Sequence, residues 1–374
     1  MISQLPEPLD RRFTGNFFMA NEKLHHAKAA KNDEFYTQYA DIQREMNAYL
    51  DFNPNVFRDK TVLLPCDDPE WSNFTKFFAQ NFETFGIKKL ISTSFAAESK
   101  SYKTDWQPTL FERQNPAFDV DKTRIKGKIF TLTRGENAKA DINALKWRYL
   151  DGDGDFRSAE VTKLRDETDI IITNPPFSLF RRFLEWIMEA RKGFAIIANQ
   201  NSVTYKEVFP LIKNNEIWFG KGFAGGATHF ISNYQDYATA SDHKDGMIRV
   251  SGIIWLTNLD HGRRHQPLTL MTMADNLKYS KHKEIRETCY QRYDNYDAIE
   301  VPFTDSIPSD YNGAMGVPIS FLDKYNPEQF EIIGATESEG VGFSNGLWKA
   351  ESRVAQPLVN GVKKYKRIFI RKRG

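Results

Sequence analysis

Short apolar runs alternate along the chain with longer stretches in which apolar residues recur every three or four positions, a pattern that predicts βαβ units. Residues 61–65 (TVLLP) form the first run. In residues 71–85, Phe74, Phe77, Phe78, Phe82 and Phe85 then fall at helical spacing until Gly86 stops the pattern. Residues 89–94 (KLISTS), 128–132 (KIFTL) and 169–173 (DIIIT) read as further strands. From Ser178 a helix is predicted on Leu179, Phe180, Phe183, Leu184, Ile187 and Met188, with Arg181, Arg182, Glu185 and Glu189 on its other face and Gly193 ending it. Residues 194–198, 216–220 and 252–257 bring the count to seven strands, the last two forming a hairpin.

The expected fold is therefore α/β, a doubly wound seven-stranded Rossmann-like sheet in residues 1–258, with residues 1–20 flexible. Residues 94–129 and the Gly-rich and polar stretch 220–246 read as loops that overhang a site. After Leu259 the pattern turns irregular and rich in Tyr, Asn and Lys, so residues 259–374 are assigned to a smaller C-terminal region.

Composition narrows the classes. The 374 residues carry 51 Lys+Arg against 49 Asp+Glu, a net charge of +2, which excludes action through bulk charge; the 40% hydrophobic content suffices for a sizeable core. Two cysteines, Cys66 and Cys289, leave no disulfide framework and no four-thiolate zinc site. With no apolar leader and no run near the roughly 18 apolar residues that cross a bilayer, a cytoplasmic protein without membrane association is expected.

The sharpest chemical signal is Asn174-Pro175-Pro176-Phe177, directly after an apolar strand and directly before an amphipathic helix. Ligands of open α/β sheets sit at the carboxyl ends of the strands, where this tetrapeptide falls. An Asn side-chain oxygen and a proline carbonyl can accept both hydrogens of one exocyclic amino group, while an aromatic ring stacks on the heterocycle that bears it. That arrangement favours attack by the amino nitrogen on an electrophilic methyl group, with catalysis by positioning and charge stabilisation. The bland alternative is a proline-rich strand-to-helix turn.

A (D/N/S)PP(Y/F/W) motif after a strand resembles the catalytic motif of amino-group methyltransferases that use S-adenosylmethionine. Residues 31–42 (KNDEFYTQYADI) resemble the N-terminal cofactor motif of adenine DNA methyltransferases, which implies that Phe35, Tyr36 and Thr37 lie against the methionine part. Residues 63–74 (LLPCDDPEWSNF) stand in the place of the first-strand cofactor loop, but Pro65-Cys66-Asp67-Asp68 replaces its usual glycine-rich form. In that departure the chain resembles the EcoRI-type adenine-specific DNA methyltransferases. Further similar blocks run to residue 334, including DGDGDFRS (151–158), IIANQNSVTYKEVFPLIK (196–213) and YNGAMGVPISFLDKYNPEQFEIIG (311–334).

The resemblance implies the following roles. Asp155 would accept from the cofactor's adenine amino group and Phe156 would stack on the adenine; Asp67 and Asp68 would meet the methionine amino group, unless they only cap the loop. The acid expected after the second strand is not evident in KLISTSF, which offers only Ser92, Thr93 and Ser94, so the ribose contact is unassigned. The implied reaction is methyl transfer to N6 of a flipped-out adenine in duplex DNA, as in a restriction-modification system of bacterial or phage origin. A cognate endonuclease, a monomeric state, association with the nucleoid and the site GAATTC are expectations of the same kind. Alternatives are RNA base or protein glutamine methylation, or an inactive methyltransferase fold that binds DNA.

Other signals are weaker. Residues 151–155 (DGDGD) lack the Gly and Glu that a calcium loop needs at its sixth and twelfth positions, where Phe156 and Thr162 stand. The histidines show no metal-ligand spacing, so no metal is expected. Cys66 follows a proline but lies on the first strand, which suits a buried thiol better than a cytosine-methylating nucleophile. Candidate phosphate contacts are Arg263, Arg264, Lys278, Lys281 and Lys283, and Lys363, Lys364, Lys366 and Arg367 in the basic C-terminal run KKYKRIFIRKR, whose bland reading is a frayed tail.

Overall fold

A computed structural model describes residues 37–70, 72–96, 116–135, 147–223, 227–231, 243–244, 247–338 and 342–373. The main sheet is built from β1 (Thr61–Leu64), β2 (Lys89–Thr93), β3 (Lys128–Thr133), β4 (Trp147–Tyr149), β5 (Ile170–Thr173), β6 (Gly193–Asn199) and β7 (Trp218–Phe219). After an insertion of β8 (Ala227–Ile231), β9 (His243–Lys244) and β10 (Met247–Ser251), it is completed by β11 (Ile253–Thr257). The strand order is β4-β3-β2-β1-β5-β6-β11-β7. Strands β2, β1, β5 and β6 are mutually parallel; β3, β4, β11 and β7 join antiparallel at the two sides.

All seven expected strands are present, and the sheet holds an eighth, β4, whose three residues are too few for a period to show. The last two strands pair antiparallel as expected. Two stretches read as loops carry structure: β8 and β9, within 220–246, form a separate antiparallel sheet with β10 just beyond it, and Val120–Ile125 is a helix capped by the Asp119 carboxylate. The Phe-rich helix is shorter than its spacing suggested. Asn73–Gln80 is helical and turns carry the chain to Gly86, which adopts φ +65°. Likewise Phe180–Ala190 ends at Arg191 in the left-handed region, and Gly193 opens β6 rather than closing the helix.

Alternation along the central strands sorts side chains to two faces. Val62, Leu64, Ile170, Ile172, Ala195 and Ile197 pack with helices Tyr39–Phe52 and Asn73–Gln80. Leu63, Ile171, Phe194, Ile196 and Ala198 pack with Ala159–Asp166 and Phe180–Ala190. Helices thus cover both faces, which is the doubly wound arrangement, and strands buried on both faces read as continuous apolar runs.

A second sheet, in the order β12 (Ile299–Glu300), β13 (Met315–Pro318), β17 (Arg367–Lys372), β14 (Phe330–Ala335), lies downstream, with a hairpin of β15 (Leu358–Val359) and β16 (Val362–Lys363). Met315, Val317, Ile332, Ile368 and Ile370 belong to the same core cluster as Leu63 and Ile171. The basic C-terminal run is not frayed: Ile368, Phe369 and Ile370 are fully buried in the inner strand of that sheet. Among the described residues, no helix is long and apolar enough to cross a membrane.

Candidate active site

The carboxyl ends of the parallel strands β1 and β5 lie side by side, and Asp67 joins them. Its Oδ2 accepts from the Thr173 hydroxyl at 2.6 Å and its Oδ1 from Ser72 Oγ at 2.6 Å; Ser72 also accepts from Phe74 N as the N-cap of the helix Asn73–Gln80. Asp67 N donates to Thr93 O at 2.9 Å, and Ser92 Oγ to Asp67 O at 2.5 Å. Burial pushes the Asp67 carboxyl up to about 7 in spite of the two hydroxyl donors. With both oxygens so engaged and 5% exposure, Asp67 brackets the loop; it is no open arm toward a ligand.

Pro65 is buried, and its carbonyl accepts from Thr93 Oγ1 at 3.1 Å; Cys66 is half-buried and in no disulfide. Asp68 is 24% exposed, with Oδ1 accepting from Glu70 N and Oδ2 3.8 Å from the buried Lys128 Nζ. Thr37 lies beside this loop, since Asn73 Nδ2 donates to its carbonyl at 2.8 Å, and the buried Thr37 Oγ1 has no hydrogen-bond partner among the described residues. Phe35 and Tyr36 lie outside the described residues.

Thr173 ends β5 fully buried, so Asn174 emerges at the sheet edge, half-buried. Pro175 is buried; Pro176 O accepts from Leu179 N at 3.0 Å to form the turn Phe177–Leu179 that leads into the helix Phe180–Ala190. Phe177 is half-buried, packed on the core cluster of the Tyr39–Phe52 face. Asn174 and Phe177 therefore sit together on one rigid strand-to-helix turn.

Residues 151–156 approach from the β2 and β3 side. Gly127 and Gly154 lie against the Ser94 carbonyl, where a Cβ on either would collide with it, and Gly154 adopts φ +81°. Asp155 accepts from Arg157 N, Nε and Nη2, and these bonds hold its carboxyl below the usual range. Phe156 does not present a stacking face: it is 4% exposed and edge-on to Phe183 and Trp186, at 5.0 and 5.6 Å. Both rings that hold it come from the helix Phe180–Ala190, which draws Phe156 into the core.

Two groups that local sequence did not reveal complete the surroundings. Lys128, with a side chain 3% exposed, bonds Glu70 Oε2 at 2.5 Å. Glu45, fully buried and with its carboxyl raised by desolvation, accepts from Lys221 N and Gly222 N at 2.9 Å and pins the chain after β7. Both partnerships link residues far apart in sequence; only Ser72, a serine just before the phenylalanine stripe, carried a readable capping signal.

The candidate phosphate contacts divide. Lys278, Lys281, Lys283 and Lys363 are exposed, Lys281 pairing with Asp305 at 2.7 Å and Lys283 with Glu287 at 3.3 Å. Lys364 lies 3.9 Å from Glu284, Lys366 bonds Thr204 Oγ1 at 3.1 Å, and Arg263 donates to Lys221 O at 2.6 Å. Arg264 and Arg367 are corrected. Arg264 is 6% exposed, stacked 3.7 Å over Trp218 and 3.6 Å from Asp260; Arg367 is 8% exposed and pairs with buried Glu300 at 2.5 Å. Guanidinium groups engaged this way belong to the interior, because exposing them would leave buried partners unpaired.

The sequence model described as "Adenine-specific methyltransferase EcoRI" matches residues 23–373. The Type II methyltransferase M.EcoRI of Escherichia coli is 43% identical over 318 residues, 84% of this chain and 89% of that protein. The Type II methyltransferase M.MpnI of Mycoplasma pneumoniae is 33% identical over 356 residues, 93% of this chain and 97% of that protein. No solved structure gives a significant match. A match over nearly the whole chain, joined to an Asn-Pro-Pro-Phe turn at the carboxyl edge of a doubly wound sheet, places this chain in the EcoRI adenine-specific methyltransferase family.

Proposed function

We propose that this methyltransferase transfers the methyl group of S-adenosylmethionine to N6 of one adenine in a specific duplex DNA site, as the modification half of a restriction-modification pair. The observation that carries the reading is Asn174-Pro175-Pro176-Phe177 at the carboxyl end of β5, beside the loop that follows β1. The polar groups around that loop suit the cofactor: carboxylates at Asp68 and Glu70 for an ammonium and for hydroxyl groups, and the Thr37 hydroxyl, without a partner among the described residues, for a further polar contact. Bound there, S-adenosylmethionine supplies an electrophilic methyl group.

The chain's own residues do the rest. Asn174 Oδ1 and the Pro175 carbonyl accept the two hydrogens of the adenine amino group, so its lone pair is aimed at the methyl carbon. Phe177, held by the core on one side, stacks on the flipped base. Residues 259–374 read the duplex, with Lys278, Lys281, Lys283, Lys363 and Lys364 as phosphate contacts and Arg263 and Lys366 closer to the sheet edge.

Transfer of labelled methyl to unmethylated duplex DNA, followed by nucleoside digestion and sequencing, tests the proposal. N6-methyladenine at one recurrent site is the expected result. Label on RNA or protein alone would overturn the substrate, and DNA binding without any cofactor binding would leave an inactive fold.

A further inference from the structure

In doubly wound sheets an acid at the carboxyl end of the second strand ordinarily takes the ribose hydroxyls of a nucleotide-like ligand. Here that position offers only hydroxyls, and all three are committed to the scaffold. Ser92 Oγ bonds Asp67 O and Thr75 Oγ1, Thr93 Oγ1 bonds Pro65 O, and Ser94 Oγ accepts from Lys128 N at 3.0 Å. Among the described residues, a carboxylate for the ribose must come from another element.

Glu70 reaches that place from the loop after β1. Lys128 opens β3, directly across from Ser94: Ser94 N donates to Lys128 O at 3.0 Å. Glu70 Oε2 lies 2.5 Å from Lys128 Nζ and Asp68 Oδ2 lies 3.8 Å from it, so the lysine of β3 and the carboxylates of the β1 loop meet beside the strand β2 that runs between β1 and β3. The ammonium is itself buried, 4.7 Å from the Trp147 ring centroid, so it holds the carboxylate in one orientation. An ionised carboxylate has about four acceptor sites and can take hydroxyl donors while bonded to Lys128.

We infer that Glu70, oriented by Lys128, is the acid that accepts the ribose hydroxyls of the cofactor, an inference that rests on the S-adenosylmethionine reading above. It replaces an acid on the second strand with one on the first-strand loop, in the same segment where the glycine-rich form is missing.

Calorimetric titration of the full chain with S-adenosylhomocysteine and its 2′-deoxy and 3′-deoxy forms tests it. Wild type is expected to bind at least one deoxy form about 10- to 100-fold more weakly, the range for a hydrogen bond to a charged group. Glu70→Ala should weaken S-adenosylhomocysteine by a similar factor and bind the three ligands alike. Glu70→Gln, which keeps the side-chain volume, should fall between, with an unchanged melting temperature showing that it is folded. A Glu70→Ala protein that still discriminates as wild type does, or that weakens all three ligands equally, overturns the assignment. Wild type that binds S-adenosylhomocysteine without discriminating overturns it too, while wild type that binds none of them overturns the cofactor reading itself.

Discussion

Thr173, the residue before Asn174-Pro175-Pro176-Phe177, donates a hydrogen bond from its hydroxyl to Asp67 Oδ2 at 2.6 Å, across 106 residues of sequence. The bond fastens the end of β5 to the loop after β1, so the turn proposed to grip the amino group and the proposed cofactor loop share one anchor. Burial raises the Asp67 carboxyl from 3.8 to about 7, so its folded pKa exceeds its unfolded one. Such a group contributes stability below pH 3.8 that is lost as pH rises through 7. Asp67→Asn removes that loss, and its stability relative to wild type should rise between pH 4 and pH 8, by on the order of 3–4 kcal/mol at most. Denaturant unfolding at the two pH values checks this; parallel pH profiles for the two proteins would refute it.

Asn174→Ala should abolish methyl transfer, since Asn174 Oδ1 is one of two acceptors proposed for the adenine amino group. Cofactor affinity should stay within a few-fold. Phe177→Ala should weaken the flipped-base complex by roughly 1–3 kcal/mol, the range for base–aromatic stacking. Fluorescence of 2-aminopurine at the target reads the flip directly, and an unchanged signal together with unchanged kinetics would remove Phe177 from the role.

The two kinds of basic residue at the C-terminus should respond in opposite ways. Arg367→Met leaves Glu300, 4% exposed, without its cation and should cost about 3–5 kcal/mol of stability. Lys363→Ala touches an exposed side chain and should leave the melting temperature unchanged, while the slope of log affinity for DNA against log salt falls by about 1. Thermal melts and salt titrations separate the two.

What local sequence could carry, it carried. Strand, tetrapeptide and helix at residues 170–190 are contiguous, so period and motif reported them together. A charge run, by contrast, says nothing of partners 67 residues away: residues 363–373 look uniformly basic, and only the fold reveals that Arg367 faces Glu300 while Lys363 faces solvent. Phe156 failed for a related reason, because a motif names an aromatic ring without saying that Phe183 and Trp186 compete for it. The short β4 and the inserted strands β8, β9 and β10 have too few residues, or too little periodic contrast, for pattern to separate them from loops.

Tyr365 gives a last test, of how the C-terminal strand communicates with the active edge. Its hydroxyl donates to Asn201 Oδ1 at 2.6 Å, and its neighbour Lys366 bonds Thr204, both in the turn Gln200–Thr204 that follows β6. Strand β6 is the parallel neighbour of β5, so this turn leaves the same carboxyl edge of the sheet as Asn174. Tyr365→Phe deletes one hydrogen bond worth about 0.5–1.5 kcal/mol and keeps the ring. If the bond aligns the proposed DNA-reading region with the proposed catalytic turn, single-turnover methylation should slow by about 2- to 10-fold with cofactor affinity unchanged. A methylation rate equal to wild type would show that the bond is only a surface tether.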